Sequence, residues 1–358
     1  MSSAGGCPSL HSLRGSPQSD IEHPHGLPHT SAFALIAEAG PCEADLGYAL
    51  DAVREAARAG CWGFKGQMFR ADTLASPSAR TYGHGLGEPD FQRDLFARNL
   101  SYGEWAVVKE ACDHAGLVFL ASVFDEEAVD AAEDMGMEAY KIASGDITNR
   151  PLLQYVAGTR KPVLLSTGAS LEYEVRRALW WLGSCPVIPL ACSLEYPTPP
   201  SRAHLRRIEA LFRLTDRVGY SNHVPGTLAL VGARQLGACV VETHFTITPG
   251  KGGDHDFAVT ADQLLSIDWH AGIPDGMLGE PVLGVHEGEW DAWRGARRSI
   301  CAKTPIRGGT RFDAANLICL RPGRGLEPWE IDRIVGHTVS RDYGPGEQIS
   351  LVEANQWD

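Results

Sequence analysis

His223, in Gly-Tyr-Ser-Asn-His, and His244, in Val-Glu-Thr-His-Phe, each close a short apolar run. Two imidazoles delivered to one place can share a divalent metal and leave coordination positions open for substrate. A lone histidine at a strand end is more often a hydrogen-bonded structural residue; a pair on consecutive strands in polar surroundings favours the metal. Lysines recur in similar settings: Lys65 in Phe-Lys-Gly-Gln, with Gln67 two residues on, and Lys141 in Tyr-Lys-Ile-Ala-Ser-Gly-Asp, with Ser144 after it. An unpaired ammonium inside a folded strand is strongly disfavoured, so each predicts an anion as its partner. Ser166 ends the strand of Leu-Ser-Thr-Gly, Tyr196 lies in Glu-Tyr-Pro-Thr-Pro, and Ser221 stands two residues before His223. Lysines and serines converging in this way read as a site for phosphate and carboxylate. The plainer reading is a lysine that snorkels to a rim or pairs with a carboxylate. Glu38, in Ile-Ala-Glu-Ala-Gly, could orient a hydroxyl or water, act as a base, or pair with a lysine as scaffolding. Asp254, in Gly-Gly-Asp-His-Asp, falls within reach of the metal unless its glycine turn merely carries surface acids.

For these residues to meet, their segments must be neighbouring parallel strands whose C-terminal ends share one mouth, where β/α barrels keep their chemistry. Strand-like runs cover residues 33–40, 61–69, 117–124, 137–144, 162–168, 187–193, 217–223 and 238–246. Helical spacing covers 46–59, 102–116, 125–136, 150–158, 171–183, 202–215 and 226–237, with 260–273 as an eighth helix. Several of these helices end at a glycine before the next strand, as C-terminal caps do. The alternation predicts an α/β fold, a (β/α)8 TIM barrel over residues 31–285, with a doubly wound open sheet as the main rival. Residues 70–100 are long for a βα connection and predict a lid or an excursion beside the mouth. Trp-rich residues 286–300 read as a linker. Glycine and proline then break residues 301–358 into short strand-like pieces, a small β-rich domain. Such a domain is near the lower size limit for an independent core, so it is expected to dock on its own barrel or a partner's.

The 358-residue chain is 44% apolar and 22% charged, ordinary for a soluble globular protein. Its net charge of −13 argues against nonspecific binding to nucleic acid or to an anionic membrane, and an anionic substrate would need a local basic pocket. No apolar run approaches the roughly 20 residues of a membrane span. The nine cysteines are scattered and include no Cys-x-x-Cys, which predicts buried free thiols in a reducing, cytoplasmic setting. Residues 1–30, rich in Ser, Gly, Pro and His, lack the apolar core of a signal peptide and read as a disordered tail. Its His11, His23, His25 and His29 carry little functional weight.

Taken in order, Ile-Ala-Glu-Ala-Gly, Phe-Lys-Gly-Gln, Tyr-Lys-Ile-Ala-Ser-Gly-Asp, Leu-Ser-Thr-Gly, Tyr-Pro-Thr-Pro, Gly-Tyr-Ser-Asn-His, Val-Glu-Thr-His-Phe, Gly-Gly-Asp-His and Arg-Arg-Ser resemble the sialic acid synthase family. That family condenses phosphoenolpyruvate with an N-acetylated amino sugar. The later Ala-Ala-Asn-Leu-Ile-Cys-Leu-Arg-Pro-Gly-Arg-Gly-Leu resembles the antifreeze-like SAF (β-clip) domain that follows its barrel. The resemblance implies a divalent metal, Mn2+ with Mg2+ or Co2+ as alternatives, held by His223 and His244. It implies phosphoenolpyruvate among Lys65, Gln67, Ser122, Lys141, Ser144, Ser166, Tyr196 and Ser221, with Ser122 where the family often has threonine. Glu38, Lys65 and Lys141 would be catalytic, and Asp254 would stand on the sugar side. Arg321 matches an arginine that the small domain extends into the other subunit's active site in a swapped homodimer.

The implied reaction has the metal polarise an aldehyde that C3 of phosphoenolpyruvate attacks. Water then adds at C2 and phosphate leaves, giving a 2-keto-3-deoxy acid of nonulosonic type. A metal-dependent aldolase or epimerase, or a non-catalytic binding protein, are the other readings of the same residues. Gly-Pro-Cys-Glu-Ala-Asp stands where the family has Gly-x-Asn-His-x-Gly, Asn222 where it has aspartate, and Leu194 where asparagine is common. These departures fall on the acceptor and metal side. They leave the acceptor open between N-acetylmannosamine and another aldose or aldehyde.

Overall fold

In a strand successive side chains point to opposite faces, so alternate residues line the inside of a closed sheet. Along the chain those inward positions run from apolar to polar: Ala34, Ile36 and Glu38; Leu120 and Ser122; Ala139 and Lys141; Leu164 and Ser166; Val240, Glu242 and His244. The apolar members, with Ile188 and Leu190, fill one end of the barrel interior. These strands thus carry their polar residues towards their C-terminal ends.

The computed structural model describes residues 33–40, 44–82 and 90–350. The tail expected at 1–30 and the altered positions 41–43 lie outside the described residues. Strands β1 (Ala34–Glu38), β2 (Gly63–Met68), β3 (Val118–Val123), β4 (Tyr140–Ile142), β5 (Val163–Ser166), β6 (Val187–Ala191), β7 (Gly219–Asn222) and β8 (Val240–His244) close in sequence order into one parallel barrel. This is the predicted (β/α)8 architecture. Outward strand residues pack on surrounding helices in a second, larger core that includes Phe64, Met68, Trp105, Val108 and Tyr220. The helix Leu46–Arg58 shows why these segments are helical. Asp45 accepts the Tyr48 amide as its N-cap, and Ala49, Ala52, Val53 and Ala56 form one buried stripe. Tyr102–His114 opens on a Ser101/Glu104 capping box.

Three expected elements differ. The eighth helix, expected over 260–273, is helical only over Ala261–Leu265. Beyond it Ile267, Trp269 and Ile273 pack against the core at a spacing no helix face provides. The segment 202–215 divides into a turn at Pro200–Arg202 and a helix at Arg207–Phe212, with His204 between them in the left-handed region at φ 47°. Residues 286–300, expected as a linker, carry structure of their own. They form a turn at Glu287–Glu289 and a helix at Trp290–Ala296, and strand β9 (Ser299–Ala302) has begun by their end.

Strand β9 pairs antiparallel with β10 (Leu317–Leu320) over a small core of Ile300, Phe312, Leu326, Ile334 and Tyr343. This domain docks on its own barrel. Arg297 pairs with Glu174 at 3.2 Å and Arg298 with Asp146 at 2.5 Å, all four side chains buried. Charges so placed are tolerated only when paired, which makes the register of this contact specific. The excursion after β2 contributes short helices at Ala71–Leu74 and Gln92–Leu95, and Ala75 bridges Arg321 across the two units. Cysteines among the described residues are free thiols, and no helix among them is long and apolar enough to cross a membrane.

Candidate active site

Strand register assembles the site before any loop is considered. Glu38 of β1 is level with Lys65 of β2 and, across the closure, with His244 of β8. Gln67 is level with Ser122, Ser122 with Lys141, and Ser221 with Glu242. The mouth holds a cavity of about 360 Å³. It is lined by Glu38, Lys65, Gln67, Ser122, Lys141, Ser144, Ser166, Tyr196, Ser221, His223, His244, Asp254 and Arg321, so each residue singled out in the sequence reaches it.

One side of the cavity is cationic. Lys65 Nζ donates to Glu38 Oε1 (3.2 Å) and Ser122 Oγ (3.1 Å), and lies 3.9 Å from Glu242 Oε1. Lys141 is 3% exposed and its ammonium donates to the Ile142 carbonyl at 3.2 Å. Burial, together with the repulsion of Lys65, pulls its pKa below the ordinary lysine value despite Glu242 and Glu38. Ser144 Oγ accepts the Gly168 amide at 2.9 Å, tying the loop after β4 to the loop after β5. Lys65 already has carboxylates beside it, whereas Lys141 makes a backbone contact and could take an anionic ligand.

The opposite side holds the imidazoles, with ring centroids 5.3 Å apart. His223 Nδ1 donates to the Ser193 carbonyl at 2.5 Å, which leaves Nε2 to carry the lone pair. Burial and the charge of His244 push His223 down to about 3, so it is neutral. His244 Nδ1 lies 3.1 Å from Glu38 Oε2 and 3.2 Å from Asp254 Oδ2. Burial disfavours the imidazolium there, but the two carboxylates override it and raise His244 to about 9. Burial alone would raise Glu38; Lys65, His244 and the Gln67 hydrogen bond bring it down to about 2. His223 Nδ1 is engaged by a protein carbonyl, the arrangement that orients a metal-ligating histidine through its other nitrogen, while His244 Nδ1 stands within ion-pair distance of Glu38 and Asp254. Among the described residues no three His, Cys, Asp or Glu side chains are grouped as a cage. The donor set fits an open two-imidazole site with room for further ligands, not a closed structural one.

The structure also revises particular readings. Tyr196 sits with the imidazoles, its ring centroid 4.2 Å from that of His223. Arg321 lines the cavity within the single chain. Its backbone is fixed by Leu74 and Ser76, and its guanidinium lies over Phe96 and Phe124. Asn222 points out of the mouth, where it bonds Val224 and Thr243, because it alternates with inward Ser221 and His223. Leu194 packs on Ala169 and Ala292. Sequence reasoning missed Glu242, which accepts from Ser221 Oγ at 3.1 Å. Its signal was the i, i+2 spacing to His244 on one strand face. Tyr82, Phe96 and Phe124, which form an aromatic wall, carried no such signal.

Comparisons with known proteins agree with this geometry. The chain is 31% identical over 331 residues to N,N'-diacetyllegionaminic acid synthase of Legionella pneumophila, covering 88% of this chain and 92% of that protein. It is 27% identical over 325 residues to pseudaminic acid synthase of Campylobacter jejuni, covering 88% and 94%. The crystal structure of spore coat polysaccharide biosynthesis protein SpsE from Bacillus subtilis superposes with a TM-score of 0.75 at 28% identity, covering 89% and 94%. Residues 297–352 match the SAF domain. Residues 52–269 match the NeuB family, to which this chain belongs.

Proposed function

We propose that this protein is a phosphoenolpyruvate-dependent condensing synthase. It joins phosphoenolpyruvate to an aldehyde sugar, giving a 2-keto-3-deoxy acid of nonulosonic type and phosphate. The observation that carries this reading is the two-sided cavity. Two buried lysines with serines face a pair of neutralisable imidazoles, so an anionic donor and a polarisable carbonyl have separate places in one space. Relatives named for legionaminic and pseudaminic acid synthesis support the nonulosonic class.

Lys65 and Lys141 would bind the phosphate and carboxylate, and their fixed charges would stabilise the anionic leaving group. Ser144, Ser166 and Ser221 would add neutral donors around it. His223 and His244 would hold a divalent cation, Mn2+ as the family resemblance implies, which would supply Lewis-acid polarisation of the aldehyde oxygen when bound. Glu38, anionic at any neutral pH, cannot donate a proton, and a carboxylate held near 2 is a weak base. Its work is to orient: it fixes His244 and can direct a water. Asp254 and Arg321 would contact the acceptor. We place the protein in the cytoplasm, as a domain-swapped homodimer in which the small domain of each subunit would bring Arg321 to the other's barrel.

The test is phosphate release from purified protein with phosphoenolpyruvate and Mn2+ across a panel of aldoses. Release that requires all three components is expected. A folded, Mn2+-loaded protein that releases none with any aldose would sink the reading. Turnover of a keto acid without phosphate would assign an aldolase instead.

A further inference from the structure

Glu289 lies between the barrel and the small domain, outside the cavity, yet it is only 2% exposed. Its carboxylate gathers two active-site loops at once. Oε1 accepts the amide of Ala169 (2.9 Å), in the loop after β5, and the amide of Leu194 (2.8 Å), in the loop after β6. Arg207 donates to both oxygens, at 3.1 and 2.5 Å, and the His286 amide donates to Oε2 at 2.9 Å. Arg207 also donates to the Cys192 carbonyl at 2.5 Å. Ser193 is therefore held on both sides, by Arg207 at the residue before it and by Glu289 at the residue after it. The Ser193 carbonyl is the group that His223 Nδ1 rests on. Ala169 stands in the left-handed region at φ 47°, a conformation that persists in a non-glycine residue only where its surroundings impose it. Ser166 is three residues before it.

We propose that Glu289 is a positioning residue. Through Leu194 and Ser193 it sets the ring orientation of His223, and through Ala169 it sets the loop that follows Ser166. The imidazole side and the anion side of the cavity are thereby referenced to one carboxylate. An acid buried merely to neutralise Arg207 would not also collect amides from two loops. The same segment continues into Arg297 and Arg298, so docking of the domain that carries Arg321 and alignment of the loops share one connector. The consequence for metal binding rests on the function proposed above; the orientation of His223 does not.

Two variants of the full chain separate reach from charge. Glu289→Asp keeps the charge opposite Arg207 but is one methylene too short to meet both loops. Arg207→Met/Glu289→Gln removes both charges and the Arg207 bond to the Cys192 carbonyl but keeps an amide oxygen at the original reach, so the hold on Leu194 and Ala169 is tested alone. The direct readout is NMR of 15N-histidine-labelled protein without metal. There the His223 Nδ1 proton, donated to Ser193, gives a downfield signal assigned by its absence in His223→Gln. The signal is expected to shift or vanish in Glu289→Asp and to persist in the double variant. Mn2+ affinity by calorimetry is expected to fall about 10- to 100-fold in the first and to stay near wild type in the second. A signal kept in Glu289→Asp, or lost in the double variant, overturns the proposal. If Glu289→Asp does not fold, the double variant decides alone. Wild-type protein that binds no Mn2+ or releases no phosphate sinks the functional reading, while the NMR comparison still judges Glu289.

Discussion

Glu38 and His244 are level with one another where β1 meets β8, and His244 Nδ1 lies 3.1 Å from Glu38 Oε2. The other oxygen of Glu38 is taken by Lys65 and Gln67. One carboxylate thus faces both the cationic side of the cavity and the imidazole side. Glu38→Gln keeps the shape and removes the charge, so His244 loses one of the two carboxylates that face its Nδ1. Mn2+ affinity and phosphate release are expected to fall about 10- to 100-fold. Calorimetry and a phosphate assay check this; unchanged affinity would show that Asp254 alone orients the ring.

Lys141 illustrates a conflict between stability and function. Its ammonium is buried and its contact is a backbone carbonyl, so the folded protein carries a desolvated charge that a bound anion would complete. Lys141→Met is expected to abolish saturation by phosphoenolpyruvate while making the protein neutral to about 4 kcal/mol more stable. Urea unfolding and phosphoenolpyruvate calorimetry read the two effects separately. A clear loss of stability would mean that Glu242 pairs with Lys141 more strongly than its distance from the site's other cations suggests.

The barrel and its site were legible in the sequence because both depend on short-range pattern. Apolar runs ending in Glu38, Lys65, Ser166, Ser221 and His244 state a strand and its functional end together, and parallel closure does the rest. What was not legible depends on partners far away in the chain. Glu289 reads as one more acid in a polar, Trp-rich stretch until Arg207 and Leu194 are seen beside it. Arg321 reads as a motif position, and its stacking over Phe96 and Phe124 depends on residues far from it in the chain. The eighth helix failed for a local reason: Ile267, Trp269 and Ile273 are apolar at strand-like intervals, and burying them ends the helix at Leu265.

Gly145 explains the glycine of Ser-Gly-Asp. A Cβ placed there would come within 2.6 Å of the Ala296 carbonyl oxygen, in the helix that leads to the small domain. The obstacle is backbone, so it cannot rotate away. Gly145→Ala must push the connector off the barrel next to the Arg298–Asp146 pair, at a cost of about 1–3 kcal/mol. A lower urea midpoint is expected, whereas Gly158→Ala, which meets nothing within 4 Å inside a helix, is expected to keep or raise it. Equal midpoints for the two would remove the packing explanation.

His204 and His286 stack with ring centroids 3.9 Å apart beside Arg207, and His204 Nδ1 and His286 Nε2 are buried without hydrogen-bond partners. Burial, the neighbouring imidazole and Arg207 push His204 down to about 4. In the unfolded chain the same histidine titrates near 6.5. Above that pH both states are neutral and the contribution is fully present. Below it the unfolded chain takes up a proton that the fold refuses, so stability is lost as pH falls from about 6.5 towards 4. His204→Asn removes the titration and suits the left-handed backbone at this position. Between pH 7 and 5 the urea midpoint of the wild type is expected to fall more steeply than that of the variant. Parallel curves would show that His204 accepts its proton in the folded state as readily as in the unfolded one.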